Sequence, residues 1–324
     1  MSTTFTTRTR AAFAFGNFES IGLLIGLVVL VTLFTIRSPY FLTLTNFKAI
    51  GVAISVTGIL AAAQTIVIVS GSIDLSFASV LALCGIAAQK TLISGGSIVI
   101  VVAVSLLVGV ACGLINAAIC VAGGVNPLIA TIGTSFAFRG MAFLWLEYET
   151  LPYFEDSSFN YIADGRIFGV PFPVILCGAI MAATWWFMRF TRFGFRVYAV
   201  GGNAPATRLA GVSVSRLRVM VFVLSGLSGA VGGLLLTSLN GTAFADAGTG
   251  DELFVIAAVI LGGTALTGGR GSVVGTTLGV LILGVLANGM NLLGINAYWQ
   301  VFLSGAILIL AVVVDEQRKR AEQR

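Results

Sequence analysis

The sequence predicts an all-α membrane protein, a polytopic bundle of about ten transmembrane helices, and three observations carry that expectation. Of 324 residues, 57% are hydrophobic and 10% charged, whereas a soluble domain holds roughly 25% charged residues. Mean hydropathy is +1.03. The apolar residues fall in windows long enough to cross ~30 Å of hydrocarbon at a rise of ~1.5 Å per residue. Glycine, at 40 residues, lets helix backbones approach closely where no hydrophobic force acts between helices.

Residues 1–19 are read as a cytoplasmic segment. Arg8 and Arg10 precede the first apolar run, 20–36, as a signal peptide's basic region would. That run ends in Ile36-Arg37-Ser38-Pro39-Tyr40 with no small-residue cleavage site, which predicts a retained span. The second and third segments, 47–70 and 76–91, are separated by the stretch holding Ser70, Gly71, Ser72 and Asp74, which predicts a broken helix. Segments 98–122 and 127–146 follow, then the loop 147–170, the span 171–188 and the loop 189–218. The seventh segment is 218–239. The eighth and ninth, 252–267 and 272–293, are divided only by Gly268-Gly269-Arg270-Gly271, so a re-entrant pair is the alternative to two crossings. Segment 297–314 completes a transmembrane domain of 20–314 and leaves 315–324 as a cytoplasmic tail.

Orientation follows from the basic residues. With the N-terminus inside, Arg8, Arg10, Arg189, Arg192, Arg196, Arg208, Arg216, Arg218, Arg270, Arg318, Lys319, Arg320 and Arg324 are cytoplasmic, out of 18 Lys and Arg in all. Only Arg37, Lys48, Lys90 and Arg166 fall outside, and Arg139 lies within a span. Both termini are therefore expected in the cytoplasm. Glu147, Glu149, Glu155, Asp156 and Asp164 crowd the loop 147–170, which reads either as a solvated connection or as a docking surface for an external protein. Cys84, Cys112, Cys120 and Cys177 lie in apolar windows, where a thiol behaves as a small hydrophobe and no disulfide framework is expected.

The chain has no histidine, which removes most metal sites and the commonest general base, so no catalytic and no metal-binding residue is assigned. None of its lysines stands in a P-loop, so any ATP-driven work belongs to a partner. Asp74 is the only acidic residue between Glu19 and Glu147. A carboxylate at mid-membrane costs about 2.5 to 3.5 kcal/mol on insertion scales and needs a partner, water or a backbone break. Two roles are open to it: with Ser72, capping the helix that starts near Ser76, or binding solute. Gln64, Asn116, Asn126, Asn288, Asn291, Asn296 and Gln300 suit a polyhydroxyl solute, since amides donate and accept at once. Amides in membrane bundles also simply tie helices together. Arg139 either snorkels to an interface or lines a cavity or gate. In the loop 189–218, Pro205 follows Asn203 by two residues, and Ala206, Leu209, Ala210 and Val212 give one apolar face beside Thr207 and Arg208. A short amphipathic helix is predicted there.

Several strings are specific. VIVSGSIDLSFASVLAL from Val67, NPLIATIGTSFAFRG from Asn126, TRFGFRVYAVGGNAPATRLAGVSVSRLR from Thr191, TGDELFVIAAVILGGTALTGGRGSVVGTTLG from Thr249 and LILGVLANGMNLLGINAYWQ from Leu281 stand in register. Together they resemble the permease subunits of ribose-type monosaccharide ATP-binding-cassette importers. Ser72 departs from the usual second glycine, Phe77-Ala78 from a usual valine and glycine, and Phe254 from a D-E-L-D-A type of pattern. The resemblance implies a bacterial inner-membrane permease that pairs with a second copy or a related permease. It also implies ATPase subunits that hold ATP and Mg, and a periplasmic or extracellular sugar-binding protein. It turns the predicted short helix into a coupling helix centred on Ala206, Arg208, Leu209, Ala210 and Gly211. It makes Gly71, Asp74, Asn116, Asn126, Arg139, Asn288 and Asn291 the candidate pathway or signature residues. Partners are otherwise the lipid bilayer, with no nucleic acid. The competing reading is a stand-alone secondary transporter or channel with Asp74 ion-coupled.

Overall fold

The computed structural model describes residues 21–146, 151 and 157–322. Helix α1 (Ile21–Arg37) leads to α2 (Leu44–Ala53) and α3 (Ser55–Val69), which form one span bent by 46°. Then come α4 (Phe77–Ile93), α5 (Ile98–Ala117), prolonged by a π-helical turn at Ala118–Ala122, and α6 (Pro127–Leu146). A short α7 (Ser157–Asp164) and an antiparallel hairpin, β1 (Arg166–Ile167) with β2 (Val170–Pro171), precede α8 (Phe172–Phe190). The arginine-rich loop holds α9 (Arg192–Gly202) and α10 (Ala204–Leu209). Helices α11 (Val214–Asn240), α12 (Asp251–Leu261), α13 (Val273–Leu292) and α14 (Ala297–Glu322) complete the order.

Residue type decides which helices sit at the centre. Helix α3 buries every residue but Thr57, and α4 buries an unbroken run from Phe77 to Gln89. Both are apolar or small all round, so neither has a face that prefers water. Around them, α5, α6 and α8 turn large side chains outward, among them Val99, Leu107, Phe136, Leu144 and Trp186. That is the pattern of helices facing hydrocarbon. Helix α11 reaches α5 through glycine: a Cβ on Gly109 would come within 2.5 Å of the Gly226 oxygen, and one on Gly113 within 2.5 Å of the Phe222 oxygen. Such backbone-to-backbone approach is what small residues provide inside a bilayer.

The expected count of ten crossings is not reached on length and composition among the described residues. Five helices qualify alone, α5, α6, α8, α11 and α13, and the bent α2–α3 pair makes six. Helices α1 and α4 are apolar but shorter. Segment 252–267 departs most from expectation, because α12 has 11 residues, about 16 Å against ~30 Å of hydrocarbon. The apolar run continues past its end, but Gly263, at φ 84°, folds the chain back and donates to Ile260 O at 2.8 Å. Thr264 N–H then reaches Val259 O at 3.2 Å, completing a glycine-closed C-terminus. Residues 262–272 turn directly into α13, whose Gly275 and Gly279 lie against Gly262 and Ala258. Helix α14 runs on to Glu322, so the expected tail from residue 315 continues the helix. The expected segment 1–19, with Arg8 and Arg10, lies outside the described residues, as do Glu147, Glu149, Glu155, Asp156 and Arg324.

Candidate functional site

The first helix break ends α3 in the same way. Gly71 takes φ 77°, its N–H returns to Ile68 O at 2.9 Å, and Ser72 N–H reaches Val67 O at 3.2 Å. Residues 72–76 are not helical yet lie deep in the bundle, so their polar groups must find partners within the protein. Asp74, 1% exposed, supplies them. Its Oδ1 accepts from Ser76 N–H at 2.8 Å and from the Ser76 hydroxyl at 2.7 Å, and its Oδ2 accepts from the Ser225 hydroxyl on α11 at 2.6 Å.

Amides form the next layer. Asn116 Nδ2 on α5 donates to Ser76 Oγ at 2.7 Å, and the Thr134 hydroxyl on α6 donates to Asn116 Oδ1 at 2.6 Å. Gln64 Nε2 on α3 donates to Ser225 Oγ at 2.9 Å. All these side chains are buried. Both serine hydroxyl protons are committed to the carboxylate, and among the described residues no Lys or Arg stands within ion-pair distance of Asp74. Nor do the described residues hold a cluster able to bind a metal ion. The network ties α3, α5, α6 and α11 to the start of α4, and a carboxylate that receives three donors is an acceptor fixed in place. Asp74 thus holds Ser76, the residue that precedes α4, while no side chain caps the N–H groups of α4 itself. Among the described residues the buried Ser72 hydroxyl has no hydrogen-bond partner, so the expected shared cap is not formed.

The remaining candidates separate from this network. Asn126 is exposed, and its Oδ1 accepts from Leu128 N–H at 2.9 Å, opening α6. Asn288 and Asn46 exchange two hydrogen bonds, each at 3.0 Å, clasping α13 to α2. Asn291 accepts from Gln300 at 2.6 Å on the surface. Arg139 is held by the protein backbone. Its Nη1 donates to Ala245 O and Ala247 O, both at 2.7 Å, and Nη2 stands 3.7 Å from Glu252. It pins the loop between α11 and α12. Sequence reasoning passed over Ser225, Thr134 and Asn46. Their only signal is that a hydroxyl or amide inside an apolar run must find a partner on another helix.

At the arginine-rich end, Asn203 Oδ1 accepts from Ala206 N–H at 2.9 Å and opens α10, with Pro205 in the first turn. Gly211, at φ 84°, closes it: Gly211 N–H donates to Arg208 O at 3.0 Å and Val212 N–H to Thr207 O at 3.2 Å. The face turned to the protein is not the predicted apolar one. Thr207 is buried, its hydroxyl 2.9 Å from Ala199 O and 2.7 Å from Asn203 O. Ala206, Arg208, Ala210 and Leu209 point outward, Leu209 with 91% of its surface exposed. Arg192, Phe195 and Arg196 of α9 are exposed as well.

The family described as "Branched-chain amino acid transport system / permease component" matches residues 46–312. The chain is 38% identical over 299 residues to the ribose import permease protein RbsC of Escherichia coli (strain K12), covering 91% of this chain and 93% of that protein. It is 36% identical over 323 residues to the L-arabinose transport system permease protein AraH of the same strain, covering 97% and 96%. With the probable ABC transporter permease protein YphD of that strain it shares 36% over 299 residues, 92% and 90% of the two chains. No solved structure matches. A multi-pass helical bundle, matched by these relatives along nearly its whole length and by the family over residues 46–312, belongs to the family of branched-chain amino acid transport system permease components.

Proposed function

We propose that the chain is the transmembrane subunit of an ATP-binding-cassette importer that carries a monosaccharide, a pentose or hexose, across the bacterial cytoplasmic membrane by alternating access. Relatives named for ribose and L-arabinose import support the substrate class. Two permeases, identical or related, form the core, and both termini lie in the cytoplasm. A separate ATPase pair holds ATP and Mg, and an external sugar-binding protein delivers the solute. The geometry of α10 carries this reading. A leucine that is 91% exposed stands beside Arg208 on a helix closed at both ends, at the arginine-rich end of the bundle. A rigid element that presents one apolar side chain and no acid is suited to a groove on another protein. The Asp74 network speaks against an ion-coupled carrier, since the donors around the carboxylate are engaged with it.

The test is reconstitution with the ATPase and binding protein from the same importer. Arg208→Glu with Leu209→Asp should reduce sugar moved per ATP by about tenfold or more, as loss of a buried interface anchor would. Uptake at the unmodified ratio in that double variant would sink the assignment of α10. ATP-independent uptake by the permease alone would sink the importer.

A further inference from the structure

Three backbone segments distant in sequence meet at the end of α9. Gly201 and Gly202 are its last residues, and the next residue, Asn203, opens α10. A Cβ on Gly201 would overlap the Val69 carbonyl oxygen and stand 2.5 Å from Gly269 N. A Cβ on Gly268 would lie 2.7 Å from both the N and the Cα of Gly71 and 3.2 Å from Gly201 Cα, and one on Gly269 would lie 2.7 Å from Gly202 Cα. Gly269 N–H donates to Val69 O at 2.8 Å, and the Tyr198 hydroxyl on α9 donates to Gly271 O at 2.9 Å. Burial raises the pKa of that hydroxyl, which keeps it a donor.

The contact is backbone on backbone, as between α5 and α11 at Gly109 and Gly226, and unlike the packing where Val174 and Cys177 of α8 fill the space beside Gly51 and Gly58. Side chains change rotamer and let packed elements slide, whereas glycine backbones in contact have nothing to rotate. Both turns that meet α9 here, 70–76 and 262–272, are the places where an apolar run stops being helix.

We infer that α9, the turn at 70–76 and the turn at 262–272 move as one body, so that a displacement of α10 reaches both helix breaks directly. The inference rests on α10 being the ATPase-docking element. It adds that the stroke is delivered to the segment carrying Asp74 and to the α12–α13 turn, not spread through the outer helices. Gly71, Gly201, Gly268 and Gly269 are its positioning residues, with Tyr198 as a side-chain clamp.

The experiment uses the assembled importer, with the four native cysteines replaced by alanine. Gly202→Cys, where an added Cβ meets nothing within 4 Å, is paired with the exposed Thr267→Cys and bridged by a flexible bismaleimide whose spacer can be cleaved. ATP-driven uptake should be the same bridged and cleaved. Uptake that is blocked by the bridge and returns on cleavage overturns the inference, and so does failure of the pair to cross-link. As a second arm, Gly268→Ala wedges a methyl group into the junction. ATP hydrolysis should continue while sugar moved per ATP falls by about tenfold. Hydrolysis and uptake that stay coupled in this variant also overturn it. If Arg208→Glu with Leu209→Asp leaves coupling intact, the docking reading fails instead, and the two failures are told apart.

Discussion

At the scale of single residues, the buried hydroxyls and amides decide what Asp74 does. Hydrogen bonds to a charged group contribute about 1.5–3 kcal/mol each, and stranding a buried partner costs about 1–3 kcal/mol. Asp74→Ala strands Ser225, Ser76 Oγ and Ser76 N–H together. It should lower the melting temperature of the detergent-solubilised permease sharply and abolish uptake. Asp74→Asn keeps one oxygen for Ser76, and its amide can donate to Ser225 if that hydroxyl turns. It should fold and retain most ATP-driven uptake, whereas a proton- or ion-carrying carboxylate would lose function outright. Ser72 gives the opposite case. Among the described residues its buried oxygen has no partner, so Ser72→Ala should stabilise the protein by about 1 kcal/mol, read as a rise in melting temperature. A fall would show that the hydroxyl is satisfied.

Elements are set by where glycine allows backbone to touch backbone. Gly201 and Gly202 are adjacent on α9, yet a Cβ added to the first would meet Val69 and Gly269, while one added to the second would meet nothing within 4 Å. Gly201→Ala should destabilise by about 1–3 kcal/mol, the range for overpacking. Gly202→Ala should be neutral or gain a few tenths of a kcal/mol, since it removes only unfolded-state freedom. Equal effects in thermal unfolding would refute the junction. The same contrast explains how much was legible beforehand. Helix α6 occupies the predicted 127–146, because a mostly apolar run with Pro127 at its start and Arg139 as its one charge needs no tertiary information. Helix α12 stops short of its predicted end, because Gly263 and the packing of Gly275 on Gly262 decide it, and the run itself continues through Ala265 and Leu266. Asn126 and Asn116 look alike in sequence. One meets a backbone N–H at a helix start and the other a serine hydroxyl in the core, a difference that only the fold supplies.

The whole molecule has two chemically distinct ends, and their assignment to the two sides of a membrane is testable. Arg189, Arg192, Arg196, Arg208 and Arg216 gather where α8, α9, α10 and α11 meet. Helix α5 starts at the opposite end, after the exposed loop residue Ser97. Basic residues near short loops are retained on the cytoplasmic side during insertion, so the arginine-rich end should face inward. The α3–α4 and α12–α13 turns contact α9 and share its side, so with that orientation both helix breaks would lie nearer the cytoplasm and the Arg139 clamp on the far side. In intact cells expressing otherwise cysteine-free protein, a membrane-impermeant maleimide should label Ser97→Cys at once. It should label Ala210→Cys only after the membrane is permeabilised. The reverse pattern would invert the molecule, put α10 out of reach of any cytoplasmic ATPase, and remove the basis for ATP-driven coupling at that helix.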